Sequence, residues 1–274
     1  MSQATASVVI IGAGVMGASI AYHLAARGCA DVLILEKELT EISGTTARSV
    51  AGVRHQFSSE VNVRLSLYSI ERIKHFTEEI GGHADLHQHG YLFLIDDPAT
   101  WEEYQRNAAM QRRLGARVET LTPEEAARFI PQTRLDGLLG ATYGPDDGHC
   151  DAHGIALGYL NRARELGARL LRATAATGFR IEEGRMTAVL TPDGPIGCEI
   201  VVNAAGPYAG EVAALAGLDV PVKPYRRVVY VTEPFPLIPD GIPLTIDVGS
   251  GFYVRKEQQN LLFGASNYDE PSSH

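Results

Sequence analysis

Basic charge is scarce in this 274-residue chain: 24 lysines and arginines stand against 33 aspartates and glutamates, a formal net charge of −9. No lysine- or arginine-rich block offsets that balance, so nucleic acid and anionic membrane are excluded as main partners. Cysteine is scarce too. Cys29, Cys150 and Cys198 are widely spaced, odd in number and form no C-x-x-C pair. That excludes a disulfide framework and predicts buried thiols in a reducing cytoplasm. The opening Met1-Ser2-Gln3-Ala4-Thr5-Ala6-Ser7 lacks a basic n-region, so no secretory signal is expected. Repeats and low-complexity tracts are absent. Residues 8–26 are apolar enough to mimic a membrane span, but their glycines and the Tyr22-His23 pair fit a nucleotide-binding turn better. What remains, 45% hydrophobic and 21% charged, is an ordinary globular composition at a length that calls for one large or two intertwined domains.

What the chain does contain is a dinucleotide fingerprint. The aliphatic run Val8-Val9-Ile10-Ile11 leads into Gly12-Ala13-Gly14-Val15-Met16-Gly17. Gly12 suits the tight turn, Gly14 lets backbone approach a pyrophosphate, and Gly17 lets the next helix pack on the strand. The phosphates then lie at that helix's positive N-terminal end. A second buried run, Val32-Leu33-Ile34-Leu35, ends at Glu36, about 20 residues on, where a carboxylate accepts ribose hydroxyls.

Downstream, a helix is expected over residues 18–27, stopped by Gly28, and a second over 60–79, with Val61, Leu65, Tyr68, Ile73 and Phe76 near helical spacing. The texture then changes: a strand at 91–95, a helix from Asp97-Pro98 to about Leu114, and a capping box Thr122-Pro123-Glu124-Glu125 opening a short helix to Phe129. After the turn Asp146-Asp147-Gly148 come a helix over 153–166, a strand at 169–172, a hairpin about Glu183-Gly184, and a buried strand running into Asn203-Ala204-Ala205-Gly206 with a helix over 209–216. Residues 228–231, 251–255 and 261–264 read as antiparallel strands of a second sheet. The expected class is therefore α/β, a Rossmann-like nucleotide-binding pattern interrupted at about 83–147 and followed by a second, mostly antiparallel sheet.

The fingerprint alone does not separate NAD from FAD. Ser43-Gly44-Thr45-Thr46-Ala47-Arg48 favours FAD, because hydroxyls and amides soon after the ribose carboxylate suit a pyrophosphate and the near edge of a flavin. So does Asn203-Ala204-Ala205-Gly206, a late strand that must pass the nucleotide without bulky side chains. With Gly90-Tyr91-Leu92-Phe93-Leu94, Asp147-Gly148 and Val231-Thr232-Glu233-Pro234, these motifs resemble the D-amino-acid oxidase and sarcosine oxidase superfamily across essentially the whole chain. The similarity is greatest to sarcosine oxidase beta subunits and to dimethylglycine and glycine oxidases. It implies a discontinuous nucleotide domain (1–82 and 148–218) interleaved with an α+β substrate domain (83–147 and 219–274). The resemblance implies noncovalent FAD held by Gly12, Ala13, Gly14, Val15, Met16, Gly17, Glu36, Lys37, Ser43, Gly44, Thr45, Thr46 and Arg48. Ala176 would meet the adenine, and Ala205 and Gly206 the pyrophosphate. It implies oxidation of a small amino acid or N-methylated amine, such as sarcosine, glycine, dimethylglycine or proline, by hydride transfer to the flavin.

Such a substrate needs a cation for its carboxylate, ideally a bidentate arginine. Arg54-His55 matches the Arg-His of monomeric sarcosine oxidases, where the arginine takes that role. A surface ion pair for Arg54 and a packed structural role for His55 are the competing readings. Arg255 competes for the same carboxylate, and Tyr91 and Tyr253 are candidate pocket walls. Two histidine groups, His83/His87/His89 and His149/Asp151/His153, lack familiar ligand spacing, so no metal is expected.

Three departures from the family pattern matter. Arg48 stands where some relatives carry a flavin-linking histidine, and Ala152, beside His153, where the beta subunits link FMN. Leu262 stands where monomeric oxidases place an oxygen-activating lysine, which favours a dehydrogenase serving another electron acceptor. Relatives also run well beyond Asn267-Tyr268-Asp269-Glu270-Pro271, so the resemblance implies a chain lacking the segment that closes the substrate site. The alternative function is accordingly a non-catalytic flavin-binding chain, or a subunit completed by a partner.

Overall fold

The computed structural model describes residues 5–29, 31–266 and 269–273; the expectations that rest on Asn267, Tyr268, His274 and the first four residues lie outside them. The first half of the chain runs β1 (Thr5–Ile11), α1 (Val15–Ala26), β2 (Val32–Leu35), β3 (Gly52–Val53), α2 (Glu60–Lys74), α3 (Phe76–Ile80), β4 (Tyr91–Ile95) and α4 (Pro98–Arg113). Then come β5 (Glu119–Leu121), α5 (Pro123–Ala126), β6 (Gly140–Gly144), β7 (Gly148–His149), α6 (Ala152–Glu165) and β8 (Arg169–Leu171). The remainder is β9 (Gly178–Glu182), β10 (Arg185–Thr191), β11 (Gly194–Asn203), α7 (Ala209–Ala214), β12 (Val229–Val231), β13 (Leu244–Asp247), β14 (Phe252–Glu257) and β15 (Asn260–Ala265).

The aliphatic runs of β1 and β2 are buried on both sides, as central parallel strands must be. Successive residues alternate between faces. Val8, Ile10, Val32 and Ile34 pack against Ala18 and Ala21 of α1 and Leu160 and Ala163 of α6. Val9, Ile11, Leu33 and Leu35 meet Val189, Ile196 and Phe179 on the other side. The sheet order is β8-β2-β1-β11-β10-β9, parallel from β8 to β11 and antiparallel beyond. Ile11, Leu35 and Asn203 stand abreast in register, so three carboxyl ends open on one edge.

The second sheet, β12-β15-β14-β13-β4-β6-β5, is antiparallel apart from the β13–β4 pair. It carries one apolar cluster on each face, Leu92, Leu94, Leu121 and Ala141 on one and Tyr91, Phe93, Ile95 and Leu244 on the other. A two-stranded ribbon pairs Gly52 with His149 and Val53 with Gly148, bringing the segment after the Thr45-Thr46 turn against the Asp147-Gly148 turn. The whole is the expected mixed α/β architecture.

Several local expectations change. The helix expected over 60–79 breaks at His75, whose ring bonds Glu71 and Glu78 at 3.1 and 3.0 Å, leaving α2 and α3 as separate pieces. Val61, Leu65 and Tyr68, expected to face inward, are 62%, 59% and 61% exposed; α2 buries Val63 and Ile70 instead. The reason is that the inward face of α2 borders a cavity through Ser66 and Ser69 as well as Ile70 and Ile73, so polarity does not mark its outer side. The capping box at Thr122 forms in full, but α5 ends at Ala126, because Arg128 and Phe129 already bond back three residues, to Glu125 and Ala126. Strand β13 was not legible in its Pro/Gly-rich surroundings. The three cysteines are half-buried rather than buried, and each is a free thiol.

Candidate active site

The nucleotide cradle is assembled where those three carboxyl ends meet. Gly12, at φ +107°, turns the chain out of β1, and its N–H donates to Leu35 O at 2.8 Å. A side chain there would put Cβ 2.4 Å from the Ala204 carbonyl oxygen. At Gly17 a Cβ would lie 1.9 Å from Gly12 O, so α1 packs directly on the turn that precedes it. The N-cap residue Gly14 has no side chain to cap α1, and no acidic residue occupies its first turn. That N-terminus, with Met16 exposed beside it, keeps its positive end for an anion. Val15 N–H donates to Thr46 Oγ1 at 3.1 Å, docking the polar loop onto the helix start.

Glu36 holds the other side. Its Oε2 accepts from Ala13 N at 3.0 Å and its Oε1 from Glu38 N at 3.0 Å, so the carboxylate is fixed in place while each oxygen keeps a lone pair for a ribose hydroxyl. Lys37 reaches across the Tyr208 ring, Nζ 3.5 Å from its centroid. Ser43 Oγ turns back to Thr40 O, whereas Gly44, Thr45 and Arg48 are exposed. Ala205 is bound through its N–H to Asn203 Oδ1 at 3.3 Å, and Gly206 follows at φ +57°. Ala176 lies half-buried on the Leu33/Leu35 face of the sheet. A cradle closed to side chains at Gly12, a helix start with no acidic residue in its first turn and a doubly held carboxylate fit a dinucleotide.

Beside the ribbon lies a cavity of about 410 Å³ lined by Val50, Gly52, Val53, Arg54, Phe57, Ser66, Ser69, Ile70, Ile73 and Tyr91. Arg54 is its sole cation. The guanidinium carbon stands 4.7 Å from the Phe57 ring centroid and 5.4 Å from that of Phe93. Among the described residues no carboxylate pairs with it. Tyr91 is buried, and its hydroxyl rests on the Cα of Gly52, where a Cβ would come within 1.8 Å. Burial pushes the phenol up to about 12, so it stays a neutral donor despite the nearby Arg54 charge.

His55 and Arg255 are placed differently. His55 is buried, with its N–H and Nδ1 both on Asp147 Oδ1 at 2.7 and 2.8 Å. Arg255 is buried and already paired, bonding Glu257 at 2.6 Å, Lys256 O at 3.0 Å and Val50 O at 3.4 Å. Its cross-strand neighbour is the apolar, buried Leu262. The expected histidine groups re-sort: His87, His89 and His149 stack with centroids 5.2–6.3 Å apart, without His83 or His153. Burial, then Arg255, His87 and His89, push His149 down to about 4.

The sequence pattern of the DAO family, FAD dependent oxidoreductase, matches residues 7–274. The chain belongs to that family. The family is one of FAD-dependent oxidoreductases, so the cofactor is FAD. It is similar to mitochondrial dimethylglycine dehydrogenase of Rattus norvegicus, 31% identical over 263 residues, which are 94% of this chain and 30% of that protein. Among solved structures, L-proline dehydrogenase from P. horikoshii superposes with TM-score 0.86 at 33% identity, covering 97% of this chain and 72% of that one. Glycine oxidase from Geobacillus kaustophilus gives 0.77 at 27% identity, covering 98% and 74%. The chain thus spans under a third of the dimethylglycine dehydrogenase it matches.

Sequence reasoning passed over the floor and fastening of the cavity: Gln56, Phe57, Ser66, Ser69 and the side chain of Asp147. Their signal is tertiary, since Asp147 and His55 lie 92 residues apart. No helix among the described residues is long and apolar enough to cross a membrane.

Proposed function

We propose that this flavoprotein oxidises the C–N bond of a small amino acid or N-methylated amino acid, of the sarcosine, glycine, dimethylglycine or proline class, with Arg54 holding the substrate carboxylate. The observation that carries the reading is the Arg54 guanidinium, with no carboxylate partner among the described residues, on the wall of a half-open cavity, against an Arg255 already committed to Glu257. FAD, when bound in the cradle, supplies the two-electron acceptor. The chain supplies position and charge. Arg54 offers two parallel N–H donors to a carboxylate, and Phe57 and Phe93 limit where that fork can lie. The cavity lining contains no Asp, Glu or His. An ammonium therefore finds no partner there, and the positive field of Arg54 selects the uncharged amine that oxidation requires. Tyr91, held protonated, offers a hydrogen bond without adding charge.

Leu262 beside Arg255 leaves an apolar face where the resemblance places a lysine, which supports a dehydrogenase passing electrons to an acceptor other than oxygen. We also retain the proposed division into 1–82 with 148–218 and 83–147 with 219–274. The test is anaerobic mixing of the FAD-loaded chain with each of the four amines, followed by turnover with a dye acceptor. Arg54→Ala should raise KM for the best substrate about 100-fold while bound FAD stays. Unchanged substrate kinetics in that variant would overturn the assignment.

A second reading has its own observation. β12 pairs only with β15 among the described strands, and Val228, Tyr230 and Val231 there are 56%, 56% and 55% exposed. An open apolar edge of this kind suits a site completed by further polypeptide. A chain that keeps its flavin but is bleached by none of the amines would favour it.

A further inference from the structure

Asp147 is the sole fully buried carboxylate among the described residues, and nothing in the catalytic reading above uses it. No lysine or arginine neutralises it. Its partners are N–H donors from two consecutive residues: Oδ1 takes the backbone N–H and Nδ1 of His55 at 2.7 and 2.8 Å, and Oδ2 takes Gln56 Nε2 at 3.0 Å. The same Gln56 amide donates to Tyr91 O at 3.1 Å. Gly144 makes the room, since a Cβ there would lie 2.4 Å from Asp147 Oδ2 and 2.9 Å from Gln56 Nε2. Burying a carboxylate is costly unless it is this well bonded, so the site is built around it.

What it fastens is the backbone directly after Arg54, which leaves β3 and has no regular structure to hold it. Phe57, the nearer of the two rings under the Arg54 guanidinium, belongs to the same segment; its N–H bonds His55 O at 2.8 Å and its carbonyl accepts from Gln111 Nε2 at 2.8 Å. The ring contacts guide the guanidinium but do not fix its fork. We propose that Asp147 is the positioning residue for substrate-carboxylate recognition: by clamping His55 and Gln56 to the turn before β7, it fixes the direction in which Arg54 enters the cavity. The inference rests on Arg54 as the carboxylate anchor. His55 is then a strut of the clamp. Misplacing a charged fork by about 1 Å costs on the order of 100-fold, so the clamp has a measurable consequence.

The test uses the FAD-loaded full chain and two isosteric probes, propionate and propionamide, with affinities read by calorimetry. Asp147→Asn turns one acceptor into a donor facing either the His55 N–H groups or the Gln56 amide. It should weaken propionate about 10-fold or more and propionamide less than about 2-fold. In an Arg54→Ala background the same change should alter propionate binding less than about 2-fold, because there is no fork left to aim. Gln56→Met, which removes the Oδ2 partner and the bond to Tyr91 O but keeps both His55 bonds to Oδ1, should give a smaller loss of the same sign and serves where Asp147→Asn does not fold. Equal weakening of both probes, or an undiminished effect of Asp147→Asn without Arg54, would overturn the clamp. Wild-type propionate affinity in Arg54→Ala alone would instead overturn the anchor.

Discussion

The Oε2 oxygen of Glu36 accepts the backbone N–H of Ala13 at 3.0 Å, so the end of β2 braces the turn between β1 and α1. Its other oxygen is held by Glu38 N at 3.0 Å. One carboxylate therefore closes the cradle and keeps lone pairs that, in the proposed site, would accept the ribose hydroxyls. Glu36→Gln keeps the shape but sets an amide NH₂ against one of two donors and removes the charge. Hydrogen bonds to a charged group contribute about 1.5–3 kcal/mol, so FAD should bind roughly 10- to 100-fold more weakly. Titration of apoprotein into FAD, followed by flavin fluorescence, measures it. An unchanged Kd would remove Glu36 from the ribose site.

The fingerprint glycines should separate binding from folding. At Gly17 an added methyl meets backbone at 1.9 Å, and neither the Gly12 carbonyl nor the helix can yield without parting. At Gly14 the φ is an ordinary −75° and the nearest obstacle is Thr46 Oγ1 at 3.2 Å, which has room to shift. Gly17→Ala should cost about 3 kcal/mol or more, lowering the apoprotein melting temperature by roughly 6–12 °C. Gly14→Ala should melt within a few degrees of the parent yet lose FAD affinity about 10-fold, because its methyl stands where the pyrophosphate approaches. Thermal melts with and without FAD distinguish them, and the reverse pattern would refute the division of roles.

The cradle was legible because it is local. Strand, turn, helix start and the Glu36 carboxylate that braces them lie within the first 36 residues, and each spacing has a single physical reason. The capping box at Thr122 was legible for the same cause. The face of α2 was not, because its inward side borders a cavity and carries Ser66 and Ser69, while Leu65 and Tyr68 face outward. Hydrophobic spacing assumes that inside means dry, and at a binding cavity it does not. His55 shows the second limit. Its neighbour Arg54 faces the cavity, whereas His55 is turned to a carboxylate 92 residues away, and no local pattern records that pairing. The stack of His87, His89 and His149 likewise arises from an isolated bridge between His87 and His149, far apart in sequence.

That stack makes stability depend on acid. In the fold His149 titrates at about 4 rather than 6.5, held down by burial and then by Arg255, His87 and His89, with Asp85 opposing weakly. Between those values the unfolded chain holds the extra proton. Stability is therefore retained above pH 6.5 and lost as pH falls from 6.5 toward 4, at a slope of at most about 1.4 kcal/mol per pH unit from this group. His149→Gln should flatten that part of the profile while leaving the stability at pH 8 within about 1 kcal/mol. Urea midpoints from pH 4 to 8 provide the measurement. An acid slope identical in parent and variant would show that His149 stays charged in the fold.

Gly52 and Tyr91 give the sharpest structural test of the cavity. The Tyr91 hydroxyl occupies the space a Gly52 side chain would need, 1.8 Å from an ideal Cβ, with Cζ at 3.1 Å. The ring is buried in a cluster with Phe93, Ile95 and Leu244. Gly52→Ala must therefore displace either the ribbon strand that leads into Arg54 or the tyrosine that floors the cavity. Both displacements spoil carboxylate binding, so KM should rise about 10-fold or more, with a stability loss of about 1–3 kcal/mol from overpacking. Tyr91→Phe removes the hydroxyl and leaves the added methyl only the Cζ contact. Combined with Gly52→Ala, it should recover most of the lost stability, and part of KM, relative to Gly52→Ala alone. A merely independent pair would instead show additive losses. Additivity in melting temperature and KM together would mean that the hydroxyl does not rest on Gly52, and that the floor of the cavity lies elsewhere.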